Sequence, residues 1–235
     1  MRFEEGTEVE RPPPTLRIGW GLWSIMMKDS IEKLARDVYI CEKCKGFGVD
    51  RIPHKGLVPE FMVGNFEANI WVVGLNPKLK KRPEGLMNPN DAKDFESYLK
   101  RSYNFDFDQP YFKRIKDHVF PEDWEWGVDV AHVDLVKCGS RGIDKSFKKA
   151  KDICCDYLER QIELLKPKLI IANGIEVSKW FESRKEQKET NTSVLLKFNG
   201  FETLVVLSGF IGRMDRCSMA RLREDLKRIK KNGYM

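Results

Sequence analysis

The sequence predicts an α/β fold of three layers, α/β/α, around a four-stranded, mostly parallel sheet. Two observations lead there. Four short runs, Ile70–Val73, Val128–Val136, Lys168–Gly174 and Phe201–Leu207, carry the β-branched and aromatic residues of strands buried on both faces. The stretches between them space their apolar residues as helices do, and strands alternating with helices build βαβ units with both sheet faces covered.

Taken in order, residues 1–28 read as an extended N-terminal arm, because Pro12-Pro13-Pro14 and Gly19-Trp20-Gly21 interrupt regular structure. Residues 29–235 are expected to form a single domain. Asp29 or Ser30 caps a helix in which Ile31, Leu34, Ala35 and Val38 share a face, and the helix delivers Cys41 and Cys44. After the first strand, a polar segment with Lys78, Lys80, Lys81 and Arg82 precedes helical patterns over Asp91–Arg101 and Tyr111–Val119. A long amphipathic helix, Ser146–Leu165, turns Ile153, Tyr157, Leu158, Ile162 and Leu165 inward and closes at Pro167. A helix at Glu176–Arg184, a charged stretch at Lys185–Thr192 and a basic helix at Ser218–Lys231 complete the pattern.

At 235 residues the chain is long enough to bury a proper core, and its ordinary balance of apolar and charged residues argues against global disorder. No apolar run approaches the roughly 20 residues of a membrane span. Glu4, Glu5, Glu8 and Glu10 leave no apolar segment for a secretion signal, so a cytoplasmic location is expected. The net charge of +6 permits a nucleic-acid partner through phosphate neutralisation and equally suits a solvated, charge-rich surface.

The chemistry gathers at two places. The first strand ends in Gly74-Leu75-Asn76-Pro77, residues that turn the backbone and leave a loop at the carboxyl edge of the sheet. Open α/β sheets hold their ligands at that edge, although the same residues suit an ordinary turn with glycine at positive φ. Six cysteines in such a chain point to metal or redox chemistry rather than disulfides. Cys41-Glu42-Lys43-Cys44 is a C-x-x-C, a pattern common to zinc, redox and iron–sulfur sites. Cys138 follows the second strand and Cys154-Cys155 lies on the long helix, so two separated thiolates can join the pair around a metal centre. Cys217 reads as a buried small residue or an unpaired thiol.

These motifs, in this order, resemble the uracil-DNA glycosylase superfamily. The likeness rests on Cys41-x-x-Cys44, Val72-Val73-Gly74-Leu75-Asn76-Pro77 and Val136-Lys137-Cys138. It continues through Cys154-x-x-Tyr157-Leu158-x-x-Gln161-Ile162-x-x-Leu165-x-Pro167-Lys168 and Ile170-Ile171-Ala172-Asn173-Gly174, and covers about residues 31 to 230. It is closest to the thermostable iron–sulfur group. It implies a monomeric DNA glycosylase of base-excision repair, which flips a damaged or deaminated base out of DNA and hydrolyses its N-glycosidic bond. It also implies a four-iron, four-sulfur cluster on Cys41, Cys44, Cys138 and Cys154, with zinc the runner-up and Cys155 on a non-ligand position. The cluster's implied role is structural.

Three departures from that group bear on the substrate. Gly74-Leu75-Asn76-Pro77 is more similar to the G-[IM]-N-P turn of the mismatch-specific and single-strand-selective branches, which implies that Asn76 positions the attacking water beside a base bound at Gly74 and Leu75. Asp134 stands where the group has a base-reading asparagine. An ionised carboxylate only accepts, which suits two adjacent donors, as on guanine, or a cytosine amino group; a protonated one still donates. Ser208 takes the place of a histidine that polarises the base carbonyl. In the loop that follows, Phe210 and Ile211 are placed to wedge into the base stack, and Arg213 and Arg216 to contact phosphates. Packing of that loop beneath the basic helix is the competing reading. Phe95, Tyr111 and Phe112 are candidates to stack on the flipped base, while His54, His118 and His132 read as structural or solvated. With two helpful groups replaced, a non-catalytic DNA- or RNA-binding protein is the alternative.

Overall fold

The computed structural model describes residues 22–47, 49–50, 58–77, 88, 91–140, 145–184, 187–190, 192–198 and 200–233. Of the arm expected over residues 1–28, residues 1–21 lie outside them, as does the basic segment with Lys78, Lys80, Lys81 and Arg82, while residues 22–28 are helical rather than extended. The first helix, α1, spans Leu22–Tyr39 and so starts before the expected Asp29 or Ser30 cap; neither glycine nor proline interrupts the chain from Leu22 onward. A two-residue strand, β1 (Val49–Asp50), precedes β2 (Ile70–Gly74). Helices α2 (Ala92–Tyr103, capped by the Asp91 carboxylate) and α3 (Pro110–His118) lead to β3 (Val130–Asp134) and the short β4 (Gly139–Ser140). Next come α4 (Lys145–Leu165), β5 (Leu169–Asn173) and α5 (Ile175–Glu182). The chain then adds β6 (Gln187–Thr190), β7 (Ser193–Phe198), β8 (Phe201–Ser208), a 3-10 turn at Ile211–Arg213 and α6 (Arg216–Lys231).

The main sheet has the order β3-β2-β5-β8-β7-β6. Its four expected strands, β3, β2, β5 and β8, are all mutually parallel. The sheet has six strands rather than the four expected, because the charged stretch and the residues after it fold as a β6–β7 hairpin whose β7 pairs antiparallel with β8. Alternation along each strand sorts the core. Trp71 and Val73 face a layer built on α1, α2, α4 and α5, whereas Ile70 and Val72 face a layer built on α3 and α6. Both faces are therefore covered, which is why these strands read as unbroken apolar runs. No helix among the described residues is long and apolar enough to cross a membrane.

Parallel strands place all their carboxyl ends at one edge. Gly74 pairs with Asp134 and Asn173 with Ser208, so residues far apart in sequence become neighbours there.

Candidate functional site

The edge is organised around Gly74. A Cβ built there would stand 2.4 Å from Asp134 Oδ1 and 3.1 Å from His132 Nε2, so glycine is required for space. Positive φ is not the reason; Gly174, at φ 121 before α5, is where the backbone itself calls for glycine. Asp134 is buried, and its Oδ2 has no hydrogen-bond partner among the described residues. Burial holds its carboxyl well above the usual range; the Glu60 charge adds to this and Lys137 opposes it. His132, two residues back on the same face of β3, is pushed down to about 3 by burial and by the Lys137 charge. His132 Nδ1 and Asp134 Oδ2 lie 4.0 Å apart, beyond hydrogen-bonding reach, so no charge-assisted bond joins them. Lys137 is buried too, and donates its ammonium to the main-chain carbonyls of Asp134 at 2.7 Å and Phe61 at 3.4 Å.

Asn76 extends from the turn after β2. Its amide donates to the Pro77 carbonyl at 3.1 Å and to Ser140 Oγ at 3.3 Å. Both contacts use the amide nitrogen, which fixes the orientation of the side chain. The main-chain carbonyls of Gly74 and Leu75 accept from the N–H groups of Leu135 and Val136, which extends the β2–β3 pairing into the turn.

Across the edge, Asn173 joins three elements. Its Nδ2 donates to the Tyr111 hydroxyl on α3, and its Oδ1 accepts the Ile211 N–H at 2.8 Å. Sequence reasoning gave Asn173 no role, although the Asn-Gly pair ending a buried strand was the available signal. Tyr111 is the one of the three expected stacking candidates that reaches this edge. Phe112 packs on Trp126 and Phe107, and Phe95 belongs to the core layer on the other face of the sheet. His132, read from sequence as structural or solvated, lies beside Tyr111 and Phe112 at ring distances of 5.9 and 5.3 Å.

The loop after β8 departs from expectation in two respects. The Ser208 hydroxyl lies within donating distance of the carbonyls of Ala172 (3.0 Å) and Gly209 (2.9 Å), so its single proton is held by the main chain and is not directed at a base. Ile211 is fully buried in the layer of α3 and α6, because the 3-10 turn rolls it inward, and it is not available as a wedge. Phe210 is 47% exposed and lies nearly parallel to Tyr111, with ring centroids 6.3 Å apart. Its ring also crosses Gly212, where a Cβ would come within 2.8 Å. Arg213 and Arg216 are exposed beside it.

A second cluster lies where α1 ends. The Cys44 thiol lies in hydrogen-bonding contact with Cys154 and with the Ala150 carbonyl (3.5 Å), and the Cys154 contact, burial and the nearby charges of Cys154, Cys138 and Cys41 push it up. Cys154 also accepts the Lys137 N–H at 3.2 Å and is held down at about 7, first by its bond to Cys44. Cys41 lies in hydrogen-bonding contact with Tyr157. Three of the expected ligands, Cys44, Cys138 and Cys154, are buried and Cys41 is half-buried, so α1, the loop after β3 and α4 gather four thiols. Among the described residues, no group of three or more His, Cys, Asp or Glu side chains is arranged to hold a metal ion. Cys155 points away, to the Asp152 carbonyl at 3.2 Å, and Cys217 is exposed rather than buried.

Residues 61–229 match the family model of the uracil DNA glycosylase superfamily. No curated protein matches the chain. The matched span starts beyond Cys41 and Cys44 but takes in all four parallel strands, the edge residues from Gly74 to Arg216, and most of α6. With that span, over half of the 235 residues, the chain belongs to the uracil DNA glycosylase superfamily.

Proposed function

We propose that the protein is a monomeric DNA glycosylase of base-excision repair, which flips a damaged or deaminated base and hydrolyses its N-glycosidic bond. The observation that carries the reading is that one sheet edge brings together the turn bearing Asn76, whose amide is oriented by Pro77 and Ser140, and the end of β3 bearing Asp134, whose buried Oδ2 has no hydrogen-bond partner among the described residues. Extrahelical capture is needed because the sugar–base bond is inaccessible inside the stack. Asp134, backed by Gly74 and Leu75, would meet the edge of the flipped base. Asn76 Oδ1 would hold a water towards C1′ as an oxocarbenium-like sugar develops; an amide is a poor base, so its contribution is orientation. Phe210, Arg213 and Arg216 would hold the opened DNA. Ser208 would position the β8 loop rather than polarise the base.

Cys41, Cys44, Cys138 and Cys154 are proposed to hold a four-iron, four-sulfur cluster. When bound, it would add covalent ties between α1, the loop after β3 and α4.

Single-turnover assays on duplexes carrying uracil, hypoxanthine, xanthine or oxidised guanine test the reading, with Asn76→Ala as the control. An abasic product that depends on Asn76 is expected. One observation favours the rival, a non-catalytic nucleic-acid-binding protein: the Ser208 proton is committed to the main chain, so no electrophile faces a base from that position. Tight binding without abasic product would decide for it.

A further inference from the structure

One polar atom at the edge is left over. Asp134 Oδ2 is buried without a partner among the described residues, and a carboxylate so placed loses its hydration with nothing in exchange. The groups around it do not replace that hydration. From its own strand, His132 is 4.0 Å away and neutral. From the loop beyond, Lys137 directs its ammonium at main-chain carbonyls. From the segment before β2, Glu60 contributes a like charge, and from α3 Tyr111 presents a phenol that burial keeps protonated. Strand β2 contributes only Gly74, and β5 and β8 end in the uncharged Asn173 and Ser208.

We propose that Asp134 serves as a neutral carboxylic acid whose O–H and C=O read the adjacent C=O and N–H of a deaminated base, uracil or hypoxanthine, and that recognition fades as the acid ionises. The proposal deepens the glycosylase reading and rests on it. A neutral carboxyl offers one donor beside one acceptor, the same pair that an asparagine amide offers. Ionised, it only accepts, and would meet the base carbonyl with a like charge; that state suits the two neighbouring N–H donors of guanine instead. Burial raises Asp134 well above the ordinary carboxyl range, which keeps the donor in place at neutral pH.

The test uses the full chain and duplexes carrying uracil, hypoxanthine or guanine at one position. Single-turnover excision is measured across pH for the wild type, Asp134→Asn and Asp134→Ala. Affinity for a duplex with a non-cleavable 2′-fluoro uracil nucleotide, relative to the same duplex with N3-methyluracil, which lacks the N–H, is measured in parallel. Wild-type excision and uracil preference are both expected to fall about tenfold per pH unit once Asp134 ionises. Asp134→Asn is expected to hold both at their neutral-pH level, and Asp134→Ala to lose both throughout. Lys137, lowered to about 8 by burial, and the acidic N–H of the base itself titrate on the alkaline side, and Asp134→Asn retains both, so any decline left in that variant is theirs. A flat wild-type profile, a guanine preference already present at neutral pH, or no base preference at any pH overturns the proposal. Should a variant fail to fold, the wild-type uracil preference decides, because the Lys137 ammonium is held by main-chain carbonyls and its titration does not change which base edge is matched. Uracil preference with the expected pH profile but no abasic product would instead sink the glycosylase reading and leave the base reading standing.

Discussion

One missing methyl group shapes the site. Because a Cβ at Gly74 would sit 2.4 Å from Asp134 Oδ1, Gly74→Ala forces the buried carboxyl aside. Overpacking of this kind costs roughly 1–3 kcal/mol, and a lowered urea midpoint together with lost excision is expected. An unchanged midpoint would show that the edge has more room than the geometry allows. Ser140 carries a different message, since it lies two residues after Cys138 and accepts from the Asn76 amide at 3.3 Å. Ser140→Ala removes one net hydrogen bond of about 1 kcal/mol, so excision should slow by about two- to tenfold with DNA affinity unchanged. Equal losses of rate and affinity would contradict an orienting role. His132 sets a pH limit. Its folded value of about 3 lies below the unfolded value, so it stabilises the fold fully above roughly pH 6.5, and that stability is lost as pH falls towards 3. The span corresponds to on the order of 3–5 kcal/mol, and His132→Phe should flatten the acid limb of a plot of urea midpoint against pH.

At the scale of elements, the cysteine cluster and the candidate sheet edge share a strand pair. Val49–Asp50 pairs with Gly139–Ser140, so the chain after Cys44 is tied to the chain after Cys138, and Ser140 in turn meets Asn76. Cys41→Ala is therefore expected to lower the melting temperature first, with iron content falling in the same preparations, while the fraction still folded keeps its rate. A variant that melts normally but has lost all excision would reverse that order and place the cysteines in the chemistry. The loop after β8 shows the opposite economy: one 3-10 turn buries Ile211, leaves Phe210 exposed beside Tyr111, and aligns Arg213 with the start of α6.

For the whole molecule, charge is the property that reaches farthest. The chain carries a net +6, yet α6 gives up part of its positive face to the acidic turn before β3: Lys227 and Arg223 pair with Glu122, and Lys230 with Asp123. Arg213 and Arg216, nearer the edge, are exposed. Arg216→Ala should weaken duplex binding evenly across sequences and reduce the slope of log affinity against log salt by about 1. A change in base preference would assign it to reading rather than to positioning.

Much of this was legible in the chain. The four central strands are buried on both faces by two helical layers, so their sequences are continuous apolar runs that name themselves. The β6–β7 hairpin was not legible, because Gln187–Thr190 is polar and its pairing is set by a strand that follows it in sequence. The cysteine pattern, the Gly74–Pro77 turn and the odd residues Asp134 and Ser208 were all visible as letters. What those letters do was decided only in the fold. The protonation of Asp134, the neutrality of His132, the inward roll of Ile211 and the main-chain capture of the Ser208 proton all depend on what surrounds each group. Sequence by itself determined which residues stand at the ends of the strands. Burial, which sets whether a carboxyl keeps its proton and whether a hydroxyl faces a ligand or the backbone, comes from elements far apart in the chain and exists only once they pack.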